Sequence, residues 1–221
     1  MKPIEINNLK DLNLSCPSLN ILYAASNSGK TYYLKEILYH CMKKGYFDRV
    51  YCFSPTGNLS TSGWSDILNG KYLQFCFDIN KLDLLLELNK KYIESGDDRR
   101  VCIILDDILP CDMSHEVWTK IATKLRHYGA TIFFTCQYYY KLPTALRNNA
   151  HNVFIFRQSS EKNMKGLYEE VLCGYFSNKK DGYNFIRDNT RDYRVLVVDV
   201  VNSKIYRTRA REKPYVYKIK Q

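Results

Sequence analysis

The chain has 221 residues, with 33 Lys plus Arg against 23 Asp plus Glu and a formal charge of +10. Hydrophobic residues at 45% and charged residues at 25% are ordinary for a folded domain, and 10 Gly with 6 Pro exclude a collagen-like or linker-rich chain. The length predicts one domain, and the charge predicts a polyanionic partner, either nucleic acid or phosphate.

The start of the chain, Met1 to Leu14, is polar and broken by Asn, Lys and Asp, so no secretory leader is read there. Residues 1–18 read as an N-terminal extension and 202–221 as a basic C-terminal segment. No apolar stretch approaches the ~20 residues a membrane span needs. The 8 Cys include several inside apolar runs, as in Val50-Tyr51-Cys52-Phe53 and Val101-Cys102-Ile103-Ile104. These read as small buried hydrophobes in a reducing compartment. There is no CxxC, and the 4 His do not pair with Cys at finger spacing, so no structural zinc site is expected.

Short apolar runs alternate with longer stretches of helical period. That pattern predicts an α/β fold with a largely parallel sheet. Leu19 to Ala24 reads as a strand, Ala25 to Gly29 as a turn, and Lys30 to about Lys44 as a helix ended by Gly45. Arg49 to Ser54 is a strand stopped by Pro55, and Ser54 to Gly70 a loop. Lys71 to Phe77 is read as a strand, Ile79 to Glu94 as a helix, and Ser95 to Arg100 as a charged turn. Val101 to Leu105 is a pure apolar run, the mark of a strand buried on both faces. A helix follows from a Ser114 cap through Arg126, then a buried strand over Thr131 to Cys136. Asn152 to Phe156 is a strand and Glu161 to about Cys173 a helix. Arg194 to Val201 and Lys204 to Arg209 form a hairpin turning at Asn202-Ser203.

Residues 24 to 31 read AASNSGKT, against the phosphate-loop pattern G-x-x-x-x-G-K-[ST]. Gly29, Lys30 and Thr31 match, and Ala24 replaces the first Gly. A strand precedes and an amphipathic helix follows, as the motif requires. The backbone N–H groups of Ala25, Ser26, Asn27, Ser28 and Gly29 and the helix dipole would face an anion. Lys30 would reach the β- and γ-phosphates of ATP, and Thr31 would hold Mg²⁺. Ala tolerates positive φ poorly, so Ala24 must keep a negative φ or accept strain.

The strand at 101–105 runs into Asp106 and Asp107, two carboxylates at the end of a parallel strand, where ligands bind in open α/β sheets. Asp106 would orient Mg²⁺ and Asp107 would take a proton from the attacking water. Gln137 ends the next buried strand, where an amide can bind the γ-phosphate or place the water. Water attack in this arrangement suits an ATPase. A small phosphotransferase and a non-catalytic nucleic-acid-binding module with a decayed loop stay open as alternatives. The length leaves no room for a terminase with its own nuclease.

Most of the chain, about residue 17 to 209, resembles the viral DNA-packaging ATPases of the poxvirus type, within the FtsK–HerA superfamily of P-loop motors. The resemblance is carried by the phosphate loop, the strand YCFSPT (51–56), ILDD (104–107), LRHYGATIFFTCQYYYKLPTALRNNA (125–150) and YRVLVVDV (193–200). Ala24 and Asp107 depart from the family pattern. The resemblance implies a RecA-like fold with an extra strand between the phosphate-loop strand and the acid-pair strand. It implies a homo-oligomeric ring that moves double-stranded DNA into a capsid in the host-cell cytoplasm, with retention in the virion as an extension. Its partners would be double-stranded DNA and viral capsid proteins. The nucleotide sites would lie between subunits, with Arg147 or Arg126 completing the neighbour's site and Arg187 and Arg191 as weaker candidates. DNA contacts would come from Lys204, Arg207, Arg209 and Arg211, with the turn at Lys179-Lys180 as a further source.

Overall fold

In the computed structural model, residues 1–12, 14, 16–55, 63–108 and 114–209 are described. The continuous apolar runs become the middle of a sheet, because strands covered on both faces need no polar side. The strands are β1 (Ile4–Glu5), β2 (Leu19–Tyr23), β3 (Arg49–Phe53), β4 (Leu73–Gln74), β5 (Val101–Asp106), β6 (Ala130–Cys136), β7 (Asn152–Ile155), β8 (Arg194–Asp199) and β9 (Lys204–Arg209). Their order across the sheet is β1-β9-β8-β7-β2-β6-β5-β3-β4. Every pairing is parallel except β7 with β8 and β8 with β9. β6 therefore lies between the phosphate-loop strand β2 and the acid-pair strand β5, as the resemblance implies.

The helices are α1 (Lys30–Lys43), α2 (Ile79–Glu94), α3 (Val117–Lys124), α4 (Thr144–Asn148), α5 (Glu161–Leu167) and α6 (Lys179–Asn189). They cover the two faces unequally. On one face, Leu34, Ile37, Leu38 and Cys41 of α1 pack with Leu9, Leu12, Leu14 and Trp64. On the other, α2 to α6 pack over Ile103, Leu105, Ile132 and Phe134. The N-terminal segment is thus part of the core: β1 pairs with β9, and its following leucines back α1. Tyr33 fixes α1 from the opposite direction. Its ring packs edge-on against Phe154 and Phe156, and its hydroxyl shares a hydrogen bond with Thr208 on β9.

Several expected boundaries move. The strand expected at 71–77 shrinks to Leu73–Gln74, because Gly70–Tyr72 closes a 3-10 turn. The helix expected from Ser114 begins at Val117, whose N–H is taken by His115 Nδ1 at 3.2 Å, and it tightens to a 3-10 turn at Leu125–Tyr128. Lys179 and Lys180 lie in the first turn of α6 rather than in a loop, with Asn178 Oδ1 accepting the Asp181 N–H at 2.9 Å. Within the expected 54–70 loop, residues 56–62 lie outside the described residues, and Trp64–Asp66 form a 3-10 turn.

Candidate nucleotide site

Ala24 resolves its own problem by staying in the sheet. Its N–H donates to Cys136 O at 3.0 Å, extending the β2–β6 ladder by one residue, and its φ is not positive. The left-handed positions fall instead at Asn27 (φ 58°) and Gly29 (φ 85°). Asn tolerates that conformation and Gly adopts it freely. Gly29 is the N-cap of α1, so the loop delivers the helix amino terminus, with Lys30 as its first residue, to the carboxyl end of the sheet.

Lys30, Asp107, Gln137 and Ser26 meet there. The buried Lys30 ammonium donates to Asp107 Oδ2 as an ion pair. Ser26 Oγ donates to Gln137 Oε1 at 3.2 Å, which ties the phosphate loop to the end of β6. Asp107 has a left-handed φ of 51°, which turns the chain sharply after β5. Its N–H donates to Thr135 Oγ1 at 3.0 Å. Thr135 in turn donates to Asp106 Oδ1 at 2.7 Å, so one hydroxyl sets the position of both acids.

Asp106 is 1% exposed. Its other oxygen accepts from Trp64 Nε1 at 2.8 Å and Ser54 Oγ at 3.2 Å. A carboxylate withdrawn from water is costly unless it is hydrogen-bonded, and neutral donors on three elements supply those bonds. They hold the carboxylate in place without cancelling its charge. Asp106 and the Thr31 hydroxyl are hard oxygen donors of the kind Mg²⁺ takes. Among the described residues no group of three or more His, Cys, Asp or Glu could cage a metal.

The arginines are elsewhere. Arg147, at the end of α4, pairs with Glu170, donates to Thr144 Oγ1 at 3.0 Å, and lies 6.0 Å from the Tyr139 ring centre. Arg126 is exposed on the turn that enters the amino end of β6, the sheet end opposite the phosphate loop. Neither reaches the site of its own chain. Arg187 lies in the last turn of α6, and Arg191 pairs with Asp188 at 3.0 Å.

The residues expected to touch DNA do not form one patch. Alternation along β9 puts Lys204 on the sheet face opposite Arg207 and Arg209. Arg207 is held by Glu5 and donates to Asn189 Oδ1 at 2.7 Å. Lys204 and Arg209 are exposed at opposite ends of the strand, and Arg211 lies outside the described residues.

Sequence reading missed Ser54, Trp64 and Thr135 around Asp106. The available signal was Trp64, a large side chain in a polar loop, whose N–H would need a buried acceptor.

A profile of the family described as the poxvirus A32 protein matches residues 10–210. No curated protein matches the chain. The genome packaging NTPase B204 of Sulfolobus turreted icosahedral virus 2, solved with AMPPCP, is similar at 15% identity and TM-score 0.63, over 90% of this chain and 98% of that one. The pCW3 conjugation coupling protein TcpA is similar at 17% identity and TM-score 0.57, over 92% of this chain and 61% of that one. EssC (ATPases 2 and 3) of Geobacillus thermodenitrificans is similar at 14% identity and TM-score 0.53, over 86% of this chain and 39% of that one. These likenesses show the fold, a P-loop α/β sheet.

Proposed function

This chain belongs to the poxvirus A32 protein family, and as a viral DNA-packaging ATPase we propose that it hydrolyses ATP at Lys30, Asp107 and Gln137 to move double-stranded DNA into a capsid. The observation that carries this reading is the Lys30–Asp107 ion pair, flanked by Gln137, at the mouth of the phosphate loop. The arriving γ-phosphate competes with Asp107 for the Lys30 ammonium. When Lys30 moves to the phosphate, the Asp107 carboxylate is released to accept a proton from water. Gln137 lies beside the loop, where its amide positions that water. Thr31 and Asp106 would hold Mg²⁺, which supplies neutralisation of charge on the β- and γ-phosphate oxygens.

Transition-state charge is completed by an arginine from a neighbouring subunit, which makes the working form a ring. Arg126 is the better supported candidate. It is exposed and has no ion pair among the described residues, whereas Arg147 is bound to Glu170 in its own chain. Lys204 and Arg209 contribute contacts to DNA phosphates. Packaging of this kind brings in capsid proteins and is placed in the cytoplasm of the infected cell, with carry-over into the virion. No described helix is long and apolar enough to cross a membrane.

The test is steady-state ATP hydrolysis with and without long double-stranded DNA, at low salt and high protein concentration. The expected result is stimulation by DNA that disappears in Lys30→Ala. Turnover that ignores DNA but requires a nucleoside acceptor would replace the motor with a kinase.

A further inference from the structure

Single apolar side chains on a surface are ordinary, but groups of them mark where another molecule sits. Two such groups stand beside the two halves of a site that one chain does not complete. The first is on α2. Leu84, Leu88 and Tyr92 recur at intervals of four, so they share one face of the helix. They are 59%, 42% and 43% exposed, the tyrosine even with the Arg99 guanidinium over its ring at 4.2 Å. α2 connects parallel strands and returns against their direction, so its last turns lie at the amino end of the sheet. There it holds the turn that carries Arg126. Asn89 Nδ2 donates to Tyr128 O at 2.6 Å, and the Tyr128 hydroxyl donates to Glu87 Oε1 at 3.3 Å.

The second group follows Gln137 at the carboxyl end of the sheet. Tyr139–Lys141 form a 3-10 turn, in which Lys141 N–H donates to Tyr138 O at 3.0 Å and Leu142 N–H to Tyr139 O at 3.1 Å. The buried Tyr139 and Leu142 anchor the turn, with Tyr139 edge-on against Tyr23 at 5.8 Å between ring centres. Tyr138 and Tyr140 are thereby held outward, 42% and 37% exposed, with ring centres 6.0 Å apart. Lys141 and Lys162 lie over these two rings at 4.8 and 4.3 Å and have no ion pair among the described residues. On the other face, Asp98 follows α2, exposed and also without an ion pair among the described residues.

We infer that these two groups are the two sides of one contact between copies of this chain: the α2 stripe of one protomer seats on the Tyr138–Tyr140 turn of the next. A contact between two different patches runs head to tail, and it closes into a ring when the rotation allows. Asp98 faces Lys141 and Lys162 across it, so the charges are complementary. The same seating carries Arg126 toward the neighbour's Gln137 and Asp107. The pairing rests on the reading of this chain as a motor completed by a neighbour's arginine, and commits that reading to side chains that carry no motif.

The test is sedimentation velocity of the full chain over a wide concentration range, with magnesium and a non-hydrolysable ATP analogue held constant. The parent should grow in mass with concentration. Leu88→Lys and Tyr140→Lys should each raise the concentration for half-assembly at least about tenfold, the effect of losing one central apolar contact. Circular dichroism of both variants should match the parent, because both side chains are exposed. Cysteine pairing reads the contact itself. In a background of Cys76→Ser and Cys173→Ser, which removes the exposed thiols, Leu88→Cys chains are mixed with Tyr140→Cys chains and oxidised. A covalent dimer with one chain of each kind is expected. A parent that stays a monomer at every concentration overturns the contact, as do variants that assemble like the parent or cross-links that form between like chains only. Assembly through these faces without ATP turnover would support the contact and overturn the proposed function.

Discussion

The indole N–H of Trp64 donates to Asp106 Oδ2 at 2.8 Å, from a side chain that is itself fully buried. Replacing Trp64 by Phe keeps an aromatic ring and removes the donor. A hydrogen bond to a charged group contributes roughly 1.5–3 kcal/mol. Denaturant unfolding should show a loss of that order. Turnover of Trp64→Phe should also require more Mg²⁺ for half-saturation, because Asp106 is less firmly oriented. An unchanged Mg²⁺ dependence would confine Trp64 to stability.

Asp107→Asn separates the two jobs of the acid. The variant cannot serve as a general base, and it holds Lys30 by a neutral acceptor instead of an ion pair. Hydrolysis should fall by roughly 10²- to 10⁴-fold, the usual contribution of a general base. ATP binding should be as tight as in the parent or tighter, since Lys30 starts without an ionic partner to leave. Binding assays with the variant check this directly. Weaker binding would show that Asp107 shapes the phosphate site instead of competing for it.

The legible part of the fold was the part fixed by local pattern. α2 was read at Ile79–Glu94 and lies there, and β2, β3, β5, β6 and β7 lie within a residue or so of their expected bounds. The sheet interior writes itself as apolar runs. α6 was missed because KKDGYNFIRDN is polar and contains Gly182. The structure supplies the reason for that glycine: a Cβ there would lie 2.5 Å from the Tyr168 ring, which packs edge-on with Tyr183. β1 was missed because two exposed residues owe their strand geometry to β9, a partner about 200 positions along the chain. At the site, the motif residues Lys30, Thr31, Asp106 and Asp107 were visible by spacing. Trp64 and Thr135 were not, because each acts through a contact made by tertiary folding.

A mixing experiment tests Arg126 as the arginine donated to a neighbour. Arg126→Ala subunits keep an intact loop, and Lys30→Ala subunits keep the arginine. Each alone should be nearly inactive, and the mixture should recover activity above the sum of the two. Arg126→Ala should melt like the parent because its side chain is exposed. Arg147→Ala should melt lower, since it removes the partner of Glu170 and the contact with Tyr139. No gain in the mixture would remove Arg126 from this role.

His151 makes stability depend on pH near neutrality. Its Nδ1 accepts the Leu19 N–H at 3.2 Å, which requires a neutral ring at that nitrogen. Burial, and then the nearby Arg126 charge, hold its pKa below the ordinary value. The unfolded chain therefore binds the extra proton first. Stability from this residue is full above about pH 6.5 and is lost as pH falls from there through the lower folded-state value. The melting temperature should drop between about pH 7.5 and 5.5, and His151→Gln should drop less over that interval. An equal drop in the variant would assign the effect to other groups.

The cysteines offer an independent measure of the core. Burial raises the Cys41 thiol to about 12 and lifts Cys52, Cys102 and Cys136 well above the ordinary range, whereas Cys76 and Cys173 are exposed. A thiol reagent at about pH 8 should modify Cys76 and Cys173 quickly, because only the thiolate reacts. Peptide mapping should find the four buried thiols modified only on unfolding. Fast labelling of Cys102 or Cys136 in the folded protein would contradict this packing of the sheet.

The insertion of β6 between β2 and β5 has a further consequence, one of dimension. Neighbouring strands stand ~4.8 Å apart, so the backbones of β2, which leads into the phosphate loop, and β5, which leads into Asp107, are held roughly 9–10 Å apart by two rows of hydrogen bonds. The loop that leaves β2 and the Lys30 side chain together bridge that gap to Asp107. The width available to a phosphate, a water and an ion is therefore a property of backbone pairing. Core substitutions that preserve the register can loosen or stiffen the two banks without moving them. Only a change of pairing among β2, β6 and β5 would resize the site.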